Sequence, residues 1–307
     1  MRCALQCALL LGLAAPRLAR AQACCAGASA LTPARLELHE AALIGVQLQA
    51  AAVLGSYDST GRYRANPEGA AEVDFEQDFF GSLRWGKRGW ASRGQASLLI
   101  PLVESWRTTV TTGDEFGGGL GDVNLALRYD VVRQRELRYL PGIGVLAGAT
   151  LPSGRPPEEA TKPLGSDATG IGTTQLSAGL ALEHAWGPVL WNLTGLASKR
   201  LSRQVQGIDS ELGTQFDVLL GASYALRDET ALALVGAYSW EGNASLNGVE
   251  SPDSSARRLR VSLVAATALG ESFRLRAAVQ LDPPVDQLGQ NRTASLGALL
   301  TTLWTFR

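Results

Sequence analysis

The feature that most constrains this chain is an alternation of apolar and polar residues with a period of two. From 123 to 131 the odd-numbered residues are apolar or aromatic, and the even-numbered ones include Asn124, Arg128 and Asp130. The same pattern covers 216–224 and 273–282. A helix places its apolar residues three and four positions apart, whereas alternate residues of a strand face opposite sides of a sheet. The pattern therefore predicts strands with one apolar and one polar face.

Twelve stretches of the chain are predicted to form such strands. They are 43–55, 73–85, 90–104, 121–132, 138–152, 169–186, 189–201, 214–226, 230–241, 258–269, 273–282 and 293–306. The connections alternate between short and long, and transmembrane β-barrels have short periplasmic turns and longer extracellular loops. A soluble sandwich or lipocalin-like barrel, the alternative, has no reason to sort its loops in this way. We predict an all-β chain that forms a transmembrane antiparallel up-and-down β-barrel of about twelve strands over 42–307.

The first residues of the chain have the features of an export signal. A basic start at Arg2 is followed by an apolar stretch over 8–15 and by an Ala-x-Ala cleavage signal at 21–23. We therefore predict a signal peptide over 1–23 and a periplasmic N-terminal segment over 24–41. The predicted location is the outer membrane of a Gram-negative cell, with both chain termini in the periplasm. The adjacent Cys24 and Cys25 receive no assigned role.

The segment before the first strand carries a helix-start signal. Thr32 is a good capping residue, Pro33 suits the first helical position, and Leu36 and Leu38 follow. This predicts a short periplasmic helix or plug over 34–40, which would block the pore at rest if it enters the barrel. A disordered tail is the alternative, and the sequence does not decide between the two.

Polarity decides which face of each strand points into the barrel. An arginine at the midplane of a membrane barrel costs about 2–4 kcal/mol, so the charged faces must line the lumen. The predicted lumen-lining residues are Asp78, Arg84, Asp122, Asn124, Arg128, Asp130, Gln215, Asp217, Arg258, Arg260, Arg274, Arg276, Gln280 and Asp282. If Leu269 pairs with Phe273, counting along both strands sets Arg260 opposite Asp282, and the two are predicted to form an ion pair. Asp74 and Glu76 are interpreted as rim charges.

Aromatic residues recur beside the short connections, as in the girdles of membrane barrels. Trp85 and Trp90 flank the first short turn, and Trp186 and Trp191 flank the third. The final strand ends in Phe306, followed by one more residue, and a terminal aromatic is common where the barrel-assembly machinery recognises a barrel. The predicted partners are therefore outer-membrane lipid, the assembly machinery through this strand, and a solute that the sequence does not identify.

A glycine-rich stretch and the strand after it resemble a known family. The sequence GGGLGDV from Gly117 to Val123 enters an alternating strand that contains Arg128 and Tyr129, and LPSG from Leu151 to Gly154 forms a corner after the fifth strand. These motifs resemble the outer-membrane transporter family called the MetA-pathway of phenol degradation family. The resemblance implies a porin-like barrel that passes small solutes, apolar or aromatic compounds among them. It implies no catalytic residues.

Composition argues against most other chemistry. The chain has 307 residues but only 2 His, and its formal net charge of −1 does not indicate a nucleic-acid partner. The glycine-rich stretch lacks the Lys-Ser/Thr ending of a phosphate loop and leads into a strand. His39 precedes the barrel, and His184 is in phase with outward-facing leucines near the periplasmic rim. We predict no enzyme, no cofactor and no metal.

Two alternatives to a passive channel stay open on this evidence. One is a structural or adhesive barrel that conducts nothing, because the long outer loops are rich in small and polar residues. The other is an outer-membrane hydrolase, which would need a Ser-His or equivalent nucleophile system at the outer rim. A conductance measurement separates the first from a channel, and a lipase or protease assay tests the second. The substrate, the openness of the lumen and the oligomeric state are not readable from the sequence.

Overall fold

The computed structural model describes residues 34–86, 88–134, 136–137, 139–227 and 229–307. The predicted signal peptide over 1–23 lies outside the described residues, as do Cys24, Cys25, Thr32 and Pro33. Two short 3-10 helices, Gly89–Arg93 and Pro157–Glu159, are the helical elements of the described chain. Neither is long and apolar enough to cross a membrane.

Twelve antiparallel strands close into a barrel, which confirms the predicted fold. They are β1 Ala42–Tyr57, β2 Ala71–Arg84, β3 Gly94–Thr109, β4 Val123–Val132, β5 Gly142–Leu151, β6 Gln175–Trp186, β7 Val189–Arg200, β8 Gln215–Arg227, β9 Thr230–Glu241, β10 Ala256–Ala268, β11 Phe273–Leu281 and β12 Thr293–Phe306. Each strand pairs with its neighbours in sequence. The last strand pairs with the first from Phe306–Ala42 to Thr293–Ser56, so the barrel has no free edge.

The two ends of the barrel differ in their connections. One end carries the short connections, such as 187–188, and both described chain ends enter the barrel there; we call it the turn end. The other end carries the long connections, such as 152–174 and 282–292, and we call it the loop end. Parts of two long connections form a separate four-stranded sheet of Arg203–Val205, Ile208–Glu211, Ser245–Leu246 and Val249–Glu250. These strands are too short to show a period of two.

Several strand boundaries differ from the prediction. The third strand begins at Gly94 because the five residues before it form a 3-10 helix. The connection predicted over 105–116 is a hairpin: β3 continues to Thr109, and Gly113–Leu120 pairs with it. The strand predicted over 169–186 begins at Gln175, because the residues before it belong to the long connection after β5. The strand Gly113–Leu120 was not predicted because its glycines interrupt the alternation of apolar and polar residues.

The outward face of the barrel is apolar between its two ends. In β8, Val218, Leu220, Ala222 and Tyr224 are exposed, while the residues that alternate with them are less exposed and face inward. Among the strand residues whose side chains the structure describes, the charged ones on the outward face lie at the loop end. They are Glu104, Asp114, Lys199 and Arg257. This distribution is the one that a lipid environment requires.

Exposed aromatic residues form a belt at each end. At the turn end the belt contains Trp85, Trp90, Tyr139, Trp186, Tyr224 and Trp304, each at least 45% exposed. At the loop end it contains Phe75, Phe116, Phe216 and Trp240. From Phe216 to Tyr224 the strand rises by about 26 Å, or roughly 20 Å along the axis of a barrel whose strands tilt by about 40°. The belts are therefore spaced like the two interfaces of an outer membrane.

A charge placed between the belts tests this assignment. Leu220 is 58% exposed and lies mid-strand on the outward face. We expect Leu220→Arg to lower the free energy of unfolding by about 2–4 kcal/mol, because the guanidinium would sit in hydrocarbon. The measurement is urea unfolding of protein refolded into liposomes.

The matched control for this change is Val249→Arg. Val249 is 70% exposed but lies in the loop-end sheet, outside the belts. There the same side chain meets water, and we expect a change within about 0.5 kcal/mol. Equal and small effects of both substitutions would contradict a membrane-facing outer surface.

Candidate functional site

Residues 34–41, called here the N-terminal segment, enter the barrel at the turn end. The backbone carbonyl of Ala34 accepts a hydrogen bond from the Ser82 hydroxyl at 2.6 Å, and the Leu36 N–H donates to the side chain of Gln95 at 3.1 Å. Leu36 is buried with the inward-facing Leu43, Leu303 and Phe80. The segment is thus held by polar and apolar contacts to the inner wall.

The predicted helix over 34–40 is not present, since the segment is irregular with turns. The inner wall takes up the backbone groups that a helix would pair internally. Arg84 donates to the carbonyls of Glu37 and Glu40, at 2.5 and 2.8 Å, and a third N–H of its guanidinium reaches the Ser92 carbonyl. These contacts are long-range, which is why the local capping signal did not foretell them.

Arg274 on β11 is the main charge partner of the segment. Its guanidinium lies 3.0 Å from a Glu37 carboxylate oxygen and also pairs with Glu40. Both carboxylates are buried, at 9% and 2% exposure for the whole residues. A buried carboxylate that loses its cation destabilises its surroundings by several kcal/mol. Arg274 therefore fixes the segment in the mouth of the barrel.

A second ion-pair cluster at this level joins the segment to β4 and β6. Glu183, which is 2% exposed, pairs with Arg35 of the segment and with Arg128 at 3.1 Å. Arg128 also donates to Asp130 at 2.8 Å. Glu183 is the central acceptor of this cluster, and it was not among the residues predicted from sequence. Because Glu183 directly follows the outward-facing Leu182, the alternation of the strand would have predicted that it faces inward.

Near the loop end, inward carboxylates are each shared by two arginines. Asp282 accepts from Arg258 and, at 2.8 Å, from Arg260, which confirms the predicted pair. Glu241 lies 2.5 Å from both Arg200 and Arg292. Each of these carboxylates is therefore neutralised by two guanidinium groups. These ion pairs connect different parts of the barrel wall at this level.

Several other predicted positions form hydrogen bonds with neighbouring side chains on the inward face. Asp78 accepts from Gln47 at 2.8 Å, and Asn124 donates to Thr150 at 2.9 Å. Gln215 bridges Asp217 and Arg200. Glu76, interpreted as a rim charge, instead lies mid-strand on the inward face of β2, two residues from Asp78.

Among the predicted lumen residues, Asp122 differs in that its carboxylate binds the backbone of a long connection. Its carboxylate accepts the backbone N–H groups of Gly154 at 2.9 Å and Ile171 at 2.6 Å. It thereby closes the two ends of the long connection 152–174 onto the start of β4. The other predicted positions lie on the inward side of the barrel wall, with Asp282 directly after the end of β11. They are Asp78, Arg84, Asn124, Arg128, Asp130, Gln215, Asp217, Arg258, Arg260, Arg274, Arg276, Gln280 and Asp282.

The same long connection is organised around Asp167. Its carboxylate accepts from the hydroxyl and the N–H of Thr161, from the N–H of Lys162, and from Arg155. These donors, the Thr161 hydroxyl first, hold the pKa of Asp167 below the usual range of a carboxylic acid. Because the pKa is depressed in the folded loop, the stabilisation is present at neutral pH. It is lost only as the pH falls through the lowered pKa.

Part of the inner wall is apolar. Leu190, Ala233, Val235, Val264, Ala266 and Ala278 form one buried cluster, with the half-buried Leu219 and Leu299 packed against it. These residues lie on inward positions of β7 to β12. We call this surface the apolar wall. The interior therefore combines charged clusters near both ends with an apolar wall between them.

Neither histidine lies in a catalytic arrangement. His184 faces outward at the turn end, where its ring is 6.1 Å from that of Trp191. His39 and two carboxylates of the N-terminal segment come close enough to hold a cation, but both carboxylates are already paired with Arg274. In the part of the chain that the structure describes, no histidine lies at the loop end.

Comparisons with known proteins support the fold. No protein-family model and no curated protein matches the sequence. The COG4313 outer membrane channel from Pseudomonas putida F1 has a similar structure, with a TM-score of 0.70, 15% identity, and coverage of 89% of this chain and 97% of that one.

Two further solved barrels align over most of the chain with TM-scores below 0.5. The translocator domain of the autotransporter NalP from Neisseria meningitidis gives 0.48 at 9% identity, covering 91% of this chain and 92% of that one. The TodX deltaS2S3 mutant monoaromatic hydrocarbon channel gives 0.41 at 10% identity, covering 90% and 93%. The similarity to the COG4313 channel, together with the closed twelve-stranded barrel, shows the fold of an outer-membrane β-barrel, the fold that the family resemblance implied.

Removing the charge of Arg274 should free the N-terminal segment. We expect Arg274→Gln to speed trypsin cleavage after Arg35 at least tenfold, because Glu37 and Glu40 would lose their arginine and leave the barrel mouth. The measurement is the cleavage rate of folded protein in liposomes. Arg258→Gln, which changes an arginine at the loop end, should leave that rate unchanged. Equal rates in both variants would show that Arg274 does not hold the segment.

The long connection gives an independent prediction. We expect Asp167→Asn to speed endoproteinase Glu-C cleavage after Glu159 about tenfold at pH 7, because an amide oxygen cannot replace a carboxylate that accepts four donors. Asp209→Asn, in the loop-end sheet, serves as the control. In the unsubstituted protein, protection of the bond after Glu159 should persist at pH 4, where this protease is also active, since the lowered pKa keeps Asp167 ionised there. Loss of protection by pH 4 would contradict that assignment.

Proposed function

We propose that this protein is an outer-membrane channel that passes small solutes through the barrel, with the N-terminal segment as a plug. The observation that carries the proposal is the position of residues 34–41, which are bound inside the turn end by Arg274, Arg84 and Glu183. In a channel, a segment bound in this way closes the lumen at one mouth. The fold similarity to an outer-membrane channel agrees with this reading.

In this proposal the turn end faces the periplasm and the loop end faces the exterior. Short periplasmic turns and longer outer loops are the rule in bacterial barrels. The lumen-lining role predicted for the inward residues follows from the same orientation. Twelve strands enclose a lumen wider than that of eight strands and narrower than that of sixteen. The paired arginines narrow it further, which favours small solutes.

The apolar wall supports solutes with apolar parts. Leu219 and Leu299 on the inner face are only half-buried against this cluster, so part of each side chain is left for contact with a solute. The apolar or aromatic compounds implied by the family resemblance are compatible with this wall. A structural barrel would have an equally packed interior but would not open.

Single-channel conductance in a planar bilayer tests the proposal. The full mature chain should give small or rare current steps, and a variant without residues 24–41 should give steps several-fold larger, because the mouth is unblocked. Heat-modifiable migration on a gel serves as the folding control for both proteins. Silence from two folded proteins would refute the channel and leave a structural barrel.

A further inference from the structure

Arg276 differs from the other arginines inside the barrel. It occupies an inward position of β11, between Ala266 on β10 and Thr301 on β12. No acidic residue of the described chain lies within ion-pair distance of it, and its Nε atom is buried without a hydrogen-bond partner. Arg128, Arg200, Arg258, Arg260 and Arg274, which also face inward, are each paired with at least one carboxylate. Arg84 has no carboxylate but donates to three backbone carbonyls.

The burial of Arg276 makes this arrangement costly. The side chain is only partly exposed, and the exposed part faces the lumen because the position is inward. An unpaired charge in such a place has lost part of its water without gaining a counter-ion. A bound ligand with a negative charge would neutralise the guanidinium and offset this loss of hydration.

The surroundings of Arg276 indicate the rest of the ligand. Its β10 neighbour Ala266 belongs to the apolar wall, and Ala278 at the next inward position of β11 does as well. Leu299 lies opposite Ala278 and is half-buried, so part of its side chain is open to the lumen. A cation beside an apolar surface fits a molecule with a negative head and an apolar body.

The location in the barrel adds a further constraint. Successive inward positions are about 6.8 Å apart along a strand, so Arg276 is one such step above Arg274. Arg274 holds the N-terminal segment. A ligand bound to Arg276 would therefore lie on the loop-end side of the segment, where a solute entering from outside would stop.

We propose that Arg276 binds the carboxylate of an amphipathic acid, such as an aryl or fatty acid, whose apolar part lies against Leu299 and the apolar wall. The proposal rests on the proposed channel function and names its substrate class. A guanidinium matches a carboxylate with two parallel N–H donors, which a neutral analogue cannot accept equally well.

Equilibrium binding to the folded mature chain in lipid nanodiscs tests the site. The probes are 4-phenylbutyrate and its neutral analogue 4-phenylbutan-1-ol, measured by calorimetry with empty nanodiscs subtracted. We expect the acid to bind at least tenfold more tightly than the alcohol, as a charge-assisted hydrogen bond would give. Arg276→Gln should remove that preference and leave alcohol binding within twofold. Arg276→Lys should keep part of it.

Matched controls separate the site from general effects of charge and packing. Arg260→Gln removes another inward arginine but leaves Asp282 with Arg258, and it should keep the acid preference. Leu299→Ala should weaken both probes several-fold, whereas Leu300→Ala, on the outward face of the same strand, should weaken neither. No acid preference, or equal losses in Arg276→Gln and Arg260→Gln, would overturn the proposal.

Conductance of the same samples distinguishes the two proposals. A protein that conducts but shows no acid preference refutes the site and leaves the channel. A folded protein that binds the acid through Arg276 but never conducts refutes the channel and supports the site as a binding site only.

Discussion

The structure depends on one constraint, the need of every backbone N–H and C=O in a bilayer to find a partner within the protein. Pairing of β12 with β1 meets that need by removing the last free edge. Once all strands are paired on both sides, side chains have only two directions left. Apolar residues must then face lipid, and every charged residue between the belts must share the interior.

Inside the barrel, most of the charged side chains neutralise one another. The solution recurs three times: Glu183, Glu241 and Asp282 are each placed between two arginines. A single pairing would leave carboxylate oxygens that water could not reach easily. The N-terminal segment uses the same solution, because it supplies Arg35 to Glu183 and two carboxylates to Arg274. The segment therefore completes a charge pattern that the strands leave unfinished.

The fold was readable from the sequence because its cause is local. The period of two, the alternation of short and long connections and the aromatics at the turns each need only neighbouring residues. The pair of Arg260 with Asp282 followed from counting along one hairpin. Contacts between distant strands were not readable: Glu183 meets Arg128 and Arg35 from three separate parts of the chain. The contacts of Asp122 were not readable for the same reason, since the loop backbone that it binds lies 32 and 49 residues away.

The adjacency of Arg274 and Arg276 connects the plug to the proposed ligand site. Two unit charges about 7 Å apart interact by roughly 2 kcal/mol at an effective dielectric constant near 20. A carboxylate held by Arg276 would repel Glu37 and Glu40 and compete with them for Arg274. Binding at one site would then weaken binding at the other, and the effect is reciprocal by thermodynamic linkage. An anionic solute would thus loosen the segment that blocks its own exit, whereas a neutral one would not.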